Sequence, residues 1–238
     1  MSQIFENKLN ELGITLLEEQ KAQFDKFYEL LVEWNKVMNL TGITEYEEVN
    51  EKHFVDSLSI VKALDMSKVK KVIDIGTGAG FPGIPLKIAF PHLEIVLLDS
   101  LNKRINFLNT VIAELGLSGI RTIHGRAEDF AKQVEYREQF DLCVSRAVAN
   151  LATLSEYCIP YVCKGGMFVP YKSGEIDEEL EQSKKAVNVL GGKMEDVVKF
   201  QLPGTEIGRS FVKIKKVQNT AKKYPRKAGL PSKEPLGQ

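Results

Sequence analysis

Cysteine is scarce: Cys143, Cys158 and Cys163 are the three in 238 residues, each in an apolar stretch and none in a CxxC pair. That excludes a disulfide scaffold and a CxxC zinc or redox motif, and leaves small core residues as the plain reading. No metal is expected. Histidine is limited to His53, His92 and His124. No apolar run reaches the roughly 18 residues of a membrane-spanning helix. The opening stretch, residues 1–13, is charged and lacks the apolar centre of a secretory signal. A cytoplasmic protein with no membrane partner is the expectation. Net charge is absent too, with 32 Lys and Arg against 32 Asp and Glu. The balance hides a division. From Lys213 onward eight basic residues face one acid, Glu234. The rest of the chain is acidic by the same margin. Such a split points to an anionic partner reached by the tail, or to a solubilising segment. With Pro225, Pro231 and Pro235 and few apolar residues, the chain from Ala221 onward is expected to be poorly ordered on its own; the competing reading is that Tyr224, Leu230 and the prolines pin it against the domain, with Arg226 and Lys227 near the cleft mouth.

What is present is a normal apolar content, 43% of residues, enough for one α/β domain with an extension. Three regions are expected: a helical extension (residues 1–65), a main domain (66–216) and a basic tail (217–238). In the extension, Thr15 and Glu18 fit a capping box. Phe24, Phe27, Tyr28, Leu31, Trp34 and Met38 then recur at helical spacing, a packing face. Asn39 to Gly42 stop that helix, and a second helical pattern covers Asp56 to Leu64. Strands and helices alternate afterwards. Strands are predicted at Lys71–Ile75, Glu94–Leu98, Ile120–His124, Asp141–Ser145, Met167–Tyr171, Val197–Leu202 and Ser210–Ile214. Gly165 and Gly166 read as a turn. Alternation of this kind predicts a doubly wound parallel sheet. The last connection, Pro203 to Arg209, is too short for a helical crossover, so the last strand must run antiparallel to the one before it.

The strongest signal is the passage from Val72 to Gly83, VIDIGTGAGFPG, which runs from a strand into a helix. Glycines there let the backbone turn and approach a ligand closely. The following helix start presents free N–H groups. Two cofactors suit such a loop. Gly78, Gly80 and Gly83 satisfy the dinucleotide fingerprint. Asp74, two residues before Gly76, instead favours S-adenosylmethionine, because an acid suits its ammonium and sulfonium and would repel a pyrophosphate. Asp99 closes the second strand, where it can accept ribose hydroxyls, a role common to both cofactors.

The chain resembles the bacterial small-subunit rRNA guanine-N7 methyltransferase family, once named for glucose-inhibited division. The resemblance rests on Asn35 to Thr41 (NKVMNLT), His53 to Ser57 (HFVDS), Asp74 to Pro85, Leu98-Asp99-Ser100, Lys103-Arg104 and Ser145-Arg146-Ala147. It implies a Rossmann-like class I methyltransferase fold, α/β, with a seven-stranded, mostly parallel sheet. It also implies S-adenosylmethionine as cosubstrate, 16S rRNA or the small ribosomal subunit as partner, and methylation at N7 of one guanine. By resemblance the cofactor touches Gly76, Phe81, Ala127, Glu128 and Arg146, in addition to Asp74, Gly78, Gly80 and Asp99. A small-molecule methyltransferase and a non-catalytic RNA- or cofactor-binding module are the rival classes.

The chemistry of N7 is compatible with the residues. N7 carries a lone pair and no proton, so its methylation needs no general base. The Asn/Asp-Pro-Pro-aromatic loop of amine methyltransferases is replaced after the fourth strand by Ser145-Arg146-Ala147-Val148. Arg146 is the candidate catalytic residue, with a planar fork suited to guanine O6. An ion pair with Asp141 or Glu128 is its structural alternative. Lys172, Arg226 and Lys227 are candidate substrate contacts for RNA phosphate. His53 and Asp56 are placed on the substrate side of the cleft. A monomer is expected.

Overall fold

The computed structural model describes residues 2–237. Two helices open the chain, α1 (Gln3–Glu11) and α2 (Glu18–Met38). Between them Leu12, Ile14 and Leu16 are buried while Gly13, Thr15 and Leu17 are exposed. This is an extended stretch, so Thr15 caps nothing, contrary to the expected capping box. The helix starts two residues later, where Gln20 Oε1 accepts the Leu17 N–H at 2.8 Å. The same side chain donates to the carbonyls of Ile88, at 2.7 Å, and Ala89, at 3.3 Å. Asn39 ends α2 in the left-handed region, with φ 49°.

A second helical run begins earlier than the sequence pattern indicates. It comprises α3 (Tyr46–Val49), a π-helical turn (Asn50–Val55), α4 (Asp56–Leu58) and a 3-10 turn (Ser59–Lys62). The rest is α/β. In order come β1 (Lys71–Ile75), α5 (Gly83–Ala89), β2 (Glu94–Asp99), α6 (Asn102–Glu114), β3 (Ile120–His124), α7 (Ala127–Phe130) and β4 (Phe140–Arg146). Then follow α8 (Leu151–Cys158), β5 (Val162–Ser173), α9 (Asp177–Val189), β6 (Gly192–Gln201), β7 (Gly208–Lys216) and α10 (Leu230–Lys233).

The seven strands form one sheet in the order β3-β2-β1-β4-β5-β7-β6. β7 pairs antiparallel with both β5 and β6, and the other pairs are parallel. Gly165 and Gly166 lie inside β5 rather than in a turn before it. The pairing with β4 jumps there, from Phe140 opposite Val162 to Leu142 opposite Met167. A Cβ on Gly166 would stand 2.7 Å from the Asp141 carbonyl oxygen, so the close approach of β4 requires glycine.

Two apolar clusters fill the two faces of the sheet. One joins Phe5, Phe24, Phe27, Phe54 and Trp34 to Phe81, Leu97, Phe107 and Phe211. Phe27 and Phe81 meet at 5.3 Å, and Trp34 and Phe107 at 5.7 Å, between ring centroids. The amino-terminal helices thus share a core with α5, α6 and the sheet. The other cluster gathers Ile73, Leu98, Cys143, Cys158, Tyr161 and Val212, and includes Tyr224 from beyond β7.

That last residue marks a correction. The segment after Lys216 is packed down, not loose. Arg137 donates to the carbonyls of Thr220, Ala221 and Tyr224. Lys216, buried, donates to the Ile159 carbonyl and the Thr220 hydroxyl and pairs with Glu138. Three prolines and low hydrophobicity suggested disorder. The segment is held instead by polar bonds to a guanidinium and an ammonium that belong to the folded body.

Candidate active site

Strand order reverses between β1 and β4, and the carboxyl ends of the strands open a crevice there. The loop after β1 is shaped by its glycines. Gly76 has φ 69°, and a Cβ on it would lie 2.6 Å from Val148, which leans over it from the loop after β4. Gly83 starts α5 so close to the sheet that a Cβ would meet Leu97 at 2.2 Å. This proximity lets the Gly83 N–H donate to Asp74 Oδ2 at 2.9 Å, and the Thr77 hydroxyl donates to the same oxygen at 2.7 Å. Asp74 is fully buried, and among the described residues its Oδ1 has no partner. Burial pushes its carboxyl up to about 7, against the pull of Thr77 and Gly83.

Asp99 ends β2 and is 2% exposed. Its Oδ2 accepts the Gly78 N–H at 2.9 Å and Arg104 at 3.3 Å, and its Oδ1 accepts the Leu101 N–H at 2.9 Å. It therefore braces the glycine loop while retaining acceptor capacity. Beside it lies a cleft of about 180 Å³ bounded by Gly76, Ser100, Ala127, Glu128, Val148 and Tyr157. Glu128 is buried, and its Oε1 accepts the Gly229 N–H at 2.8 Å. Gly80 and Phe81 are buried in the turn into α5.

Arg146 closes β4 on the other side. Its guanidinium donates to Asp56 Oδ2 at 2.8 Å and sits 5.0 Å from the Phe81 ring centre. The expected structural partners, Asp141 and Glu128, are elsewhere: Asp141 accepts the N–H groups of Lys70 and Lys71. Asp56, buried, takes a second guanidinium, Arg209 Nε at 2.7 Å. The π-helical turn brings the Lys52 carbonyl into the same cluster, 3.3 Å from Arg146 Nη1, as such turns often do at functional positions. His53 stacks on Phe81 at 4.6 Å. Its Nε2 lies 2.8 Å from the Thr41 hydroxyl and its Nδ1 lies 3.1 Å from the Lys52 carbonyl. Arg146 Nη2 stands 3.4 Å from the same Nδ1. Burial and the Arg146 charge push the imidazole down to about 4, so the ring is neutral near pH 7.

The expected phosphate contacts behave differently from one another. Lys172 donates to the Ala149 carbonyl at 2.9 Å and to Glu179 at 2.6 Å, and Glu179 also accepts the Leu151 N–H. Lys172 braces the loop that carries Val148. Arg226 forks onto Glu156 at 2.7–3.1 Å and reaches the Glu234 carbonyl. Both cations are paired to carboxylates of the folded body. Lys227 is exposed. Reading the sequence missed Arg209, Thr41 and Glu156. Thr41 ends the Asn35 to Thr41 block but has no side-chain signal of its own, Arg209 and Glu156 lie in no motif, and Arg209 is separated from Asp56 by most of the chain. Among the described residues no cluster of three His, Cys, Asp or Glu side chains is placed to hold a metal, and no helix is long and apolar enough to cross a membrane.

The same sheet recurs in known structures. M. jannaschii TYW2 in complex with AdoMet superposes with a TM-score of 0.51 at 16% identity, covering 63% of this chain and 70% of that one. The S-adenosylmethionine-dependent methyltransferase SibL in its apo form gives 0.51 at 18% identity, covering 67% and 54%. Strand order, the glycine loop at the reversal point and these neighbours define a class I methyltransferase fold. The model of the family described as rRNA small subunit methyltransferase G matches residues 20–227. Ribosomal RNA small subunit methyltransferase G of Lachnoclostridium phytofermentans is 56% identical over 228 residues, 96% of this chain and 94% of that protein. The protein of the same name from Exiguobacterium sibiricum is 51% identical over 235 residues, 99% of each. The chain belongs to the rRNA small subunit methyltransferase G family.

Proposed function

We propose that this protein transfers a methyl group from S-adenosylmethionine to N7 of a guanine in 16S rRNA of the small ribosomal subunit, as a cytoplasmic monomer. The residues present fit the cofactor. The buried Asp74 Oδ1 has no partner among the described residues and lies beside a glycine loop that leaves the backbone open. Glu128 lines the neighbouring cleft and Asp99, bonded to Gly78, stands beside it between Leu98 and Ser100, where hydroxyl and amine donors of a nucleoside can be received. When bound, S-adenosylmethionine supplies an electrophilic methyl on a positively charged sulfur.

The chain's own residues bind and orient. Asp74 offers an acceptor to the ammonium end. Asp99 and Glu128 hold the nucleoside end, and Val148 narrows the mouth over Gly76. Arg146 is the observation that carries the reading. Its fork stands at the open end of β4, steadied by Asp56 and by the face of Phe81. From there it can donate to guanine O6 and leave N7 free. No proton has to be removed from N7, and His53 is unsuited to removing one. Its nitrogens are engaged by Thr41, Lys52 and Arg146, and it is a very weak base. Rate enhancement then comes from alignment and electrostatics.

The test is incubation with tritiated cofactor and, separately, small subunits, naked 16S rRNA or a pool of metabolites. Label should enter RNA alone, and the labelled site should cleave with aniline after borohydride, the behaviour of N7-methylguanine. Label in the metabolite pool, or RNA label at an exocyclic amine, would overturn the proposal.

A further inference from the structure

The family match ends at residue 227, yet the next residues reach the cleft assigned to the nucleoside. Gly229, which has φ 84°, donates its N–H to Glu128 Oε1 at 2.8 Å. Ser232 donates to the Gly229 carbonyl at 3.0 Å, and Tyr157 lines the same cleft. Pro231 accepts the Thr153 hydroxyl at 3.1 Å. Thr153 and Tyr157 belong to α8 and Glu128 to α7. The segment therefore bridges the two helices that wall the cleft.

We propose that residues 228–234 form a positioning element for the nucleoside end of the cofactor, acting through Glu128. The proposal rests on the function proposed above. A buried carboxylate keeps its charge and its rotamer only when donors hold it. Gly229 supplies one such donor to Oε1. That fixes the direction of Oε2 and leaves it to receive an N–H or O–H of the ligand. Without Gly229, Glu128 is free to turn towards other donors, and ligand binding must then restore the lost order. Anchoring upstream is independent of this contact. Arg137 grips the carbonyls of Thr220, Ala221 and Tyr224, and Arg226 grips Glu156. A chain ending at Lys227 retains those bonds, so its fold is expected to survive.

The test is a cycle of four proteins: the full chain, the chain ending at Lys227, Glu128→Ala, and both changes together. S-adenosylmethionine is titrated by calorimetry into each, and melting of the ligand-free proteins is followed. Truncation should raise Kd about fivefold to tenfold, somewhat less than the direct loss of one charged hydrogen bond. Glu128→Ala should raise it at least as much. The doubly changed protein should bind no more weakly than Glu128→Ala alone, because the two act through one carboxylate. In the full chain, cofactor should also slow hydrogen exchange of the Gly229 amide, a readout independent of any variant. An unchanged Kd on truncation, effects that multiply, or unaltered exchange at Gly229 would overturn the proposal. A full chain that binds no S-adenosylmethionine would overturn instead the function on which it rests.

Discussion

Asp74 carries a tension that pH can expose. Its folded carboxyl is raised to about 7 by burial, whereas an unfolded one titrates near 3.9. Between those values the unfolded chain is ionised while the folded one holds a proton. Stability should therefore fall as pH rises from about 4 to 7, by roughly 2–4 kcal/mol, and level off above. Asp74→Asn keeps an oxygen for Thr77 and Gly83 and has no charge to bury. Its urea midpoint should exceed that of the natural protein at pH 8 and match it near pH 4, with weaker cofactor binding throughout. Parallel stability profiles for the two proteins would refute the assignment. Arg146 calls for the opposite comparison. Removing it leaves Asp56 still paired to Arg209, so Arg146→Ala should cost little stability while single-turnover methylation falls at least tenfold, the scale of one lost charged hydrogen bond. Lys should rescue poorly, since an ammonium lacks the fork. A large drop in Tm with normal turnover would reduce Arg146 to a strut. The sequence pointed to Arg146 because it follows the fourth strand. It could not point to Asp56 as the partner, because that pairing is made by the π-helical turn and by packing ninety residues away in the chain.

Among the elements, the strands were the most legible, because alternating apolar runs between turn residues locate them. The bounds of β1 and β3 agree with the expected ones. β5 runs longer than expected because Gly165 and Gly166, which read as a turn, fit a bulge within the strand, and β6 starts earlier than expected, at Gly192, where a Cβ would crowd Ile214. The start of α2 was misplaced for a different reason. Thr15 and Glu18 have the right spacing for a cap, but Leu12, Ile14 and Leu16 pull that stretch into extended form to bury alternate residues. Gln20 takes over, and it also satisfies carbonyls at the end of α5. Gln23 does the same for α6 by donating to the Leu115 carbonyl at 2.9 Å. One helix thus closes two others by supplying donors their last turns lack. Gln20→Ala should cost roughly 1–3 kcal/mol, the penalty for buried polar groups left unpaired. Thr15→Ala, at an exposed position, should stay within about 0.5 kcal/mol of the natural protein. Denaturant titration of the two decides it; equal losses would mean that Thr15 caps the helix after all.

At the scale of the molecule, the division of charge in the sequence does not survive folding as a free basic arm. Lys216 turns inward to Glu138, and Arg226 to Glu156, which has no exposed surface. Lys222, Lys223 and Lys227 stay exposed on the packed segment. These two groups of cations should answer to different measurements. Arg226→Ala strands a buried carboxylate and should cost roughly 3–5 kcal/mol of stability. Its effect on the salt dependence of RNA binding should be negligible, because a cation already paired inside releases no counterion from phosphate. Replacing Lys222, Lys223 and Lys227 by Gln should leave Tm within a degree or so, as surface changes do. If all three meet phosphate, the slope of log affinity against log salt should flatten by about 2–3 units. Affinity measured from low to high salt on both variants, beside their melting curves, tests the separation. A triple variant with the natural slope would remove the segment from the RNA surface. A flattened slope in Arg226→Ala at full stability would place that guanidinium on phosphate and undo its role as an internal brace.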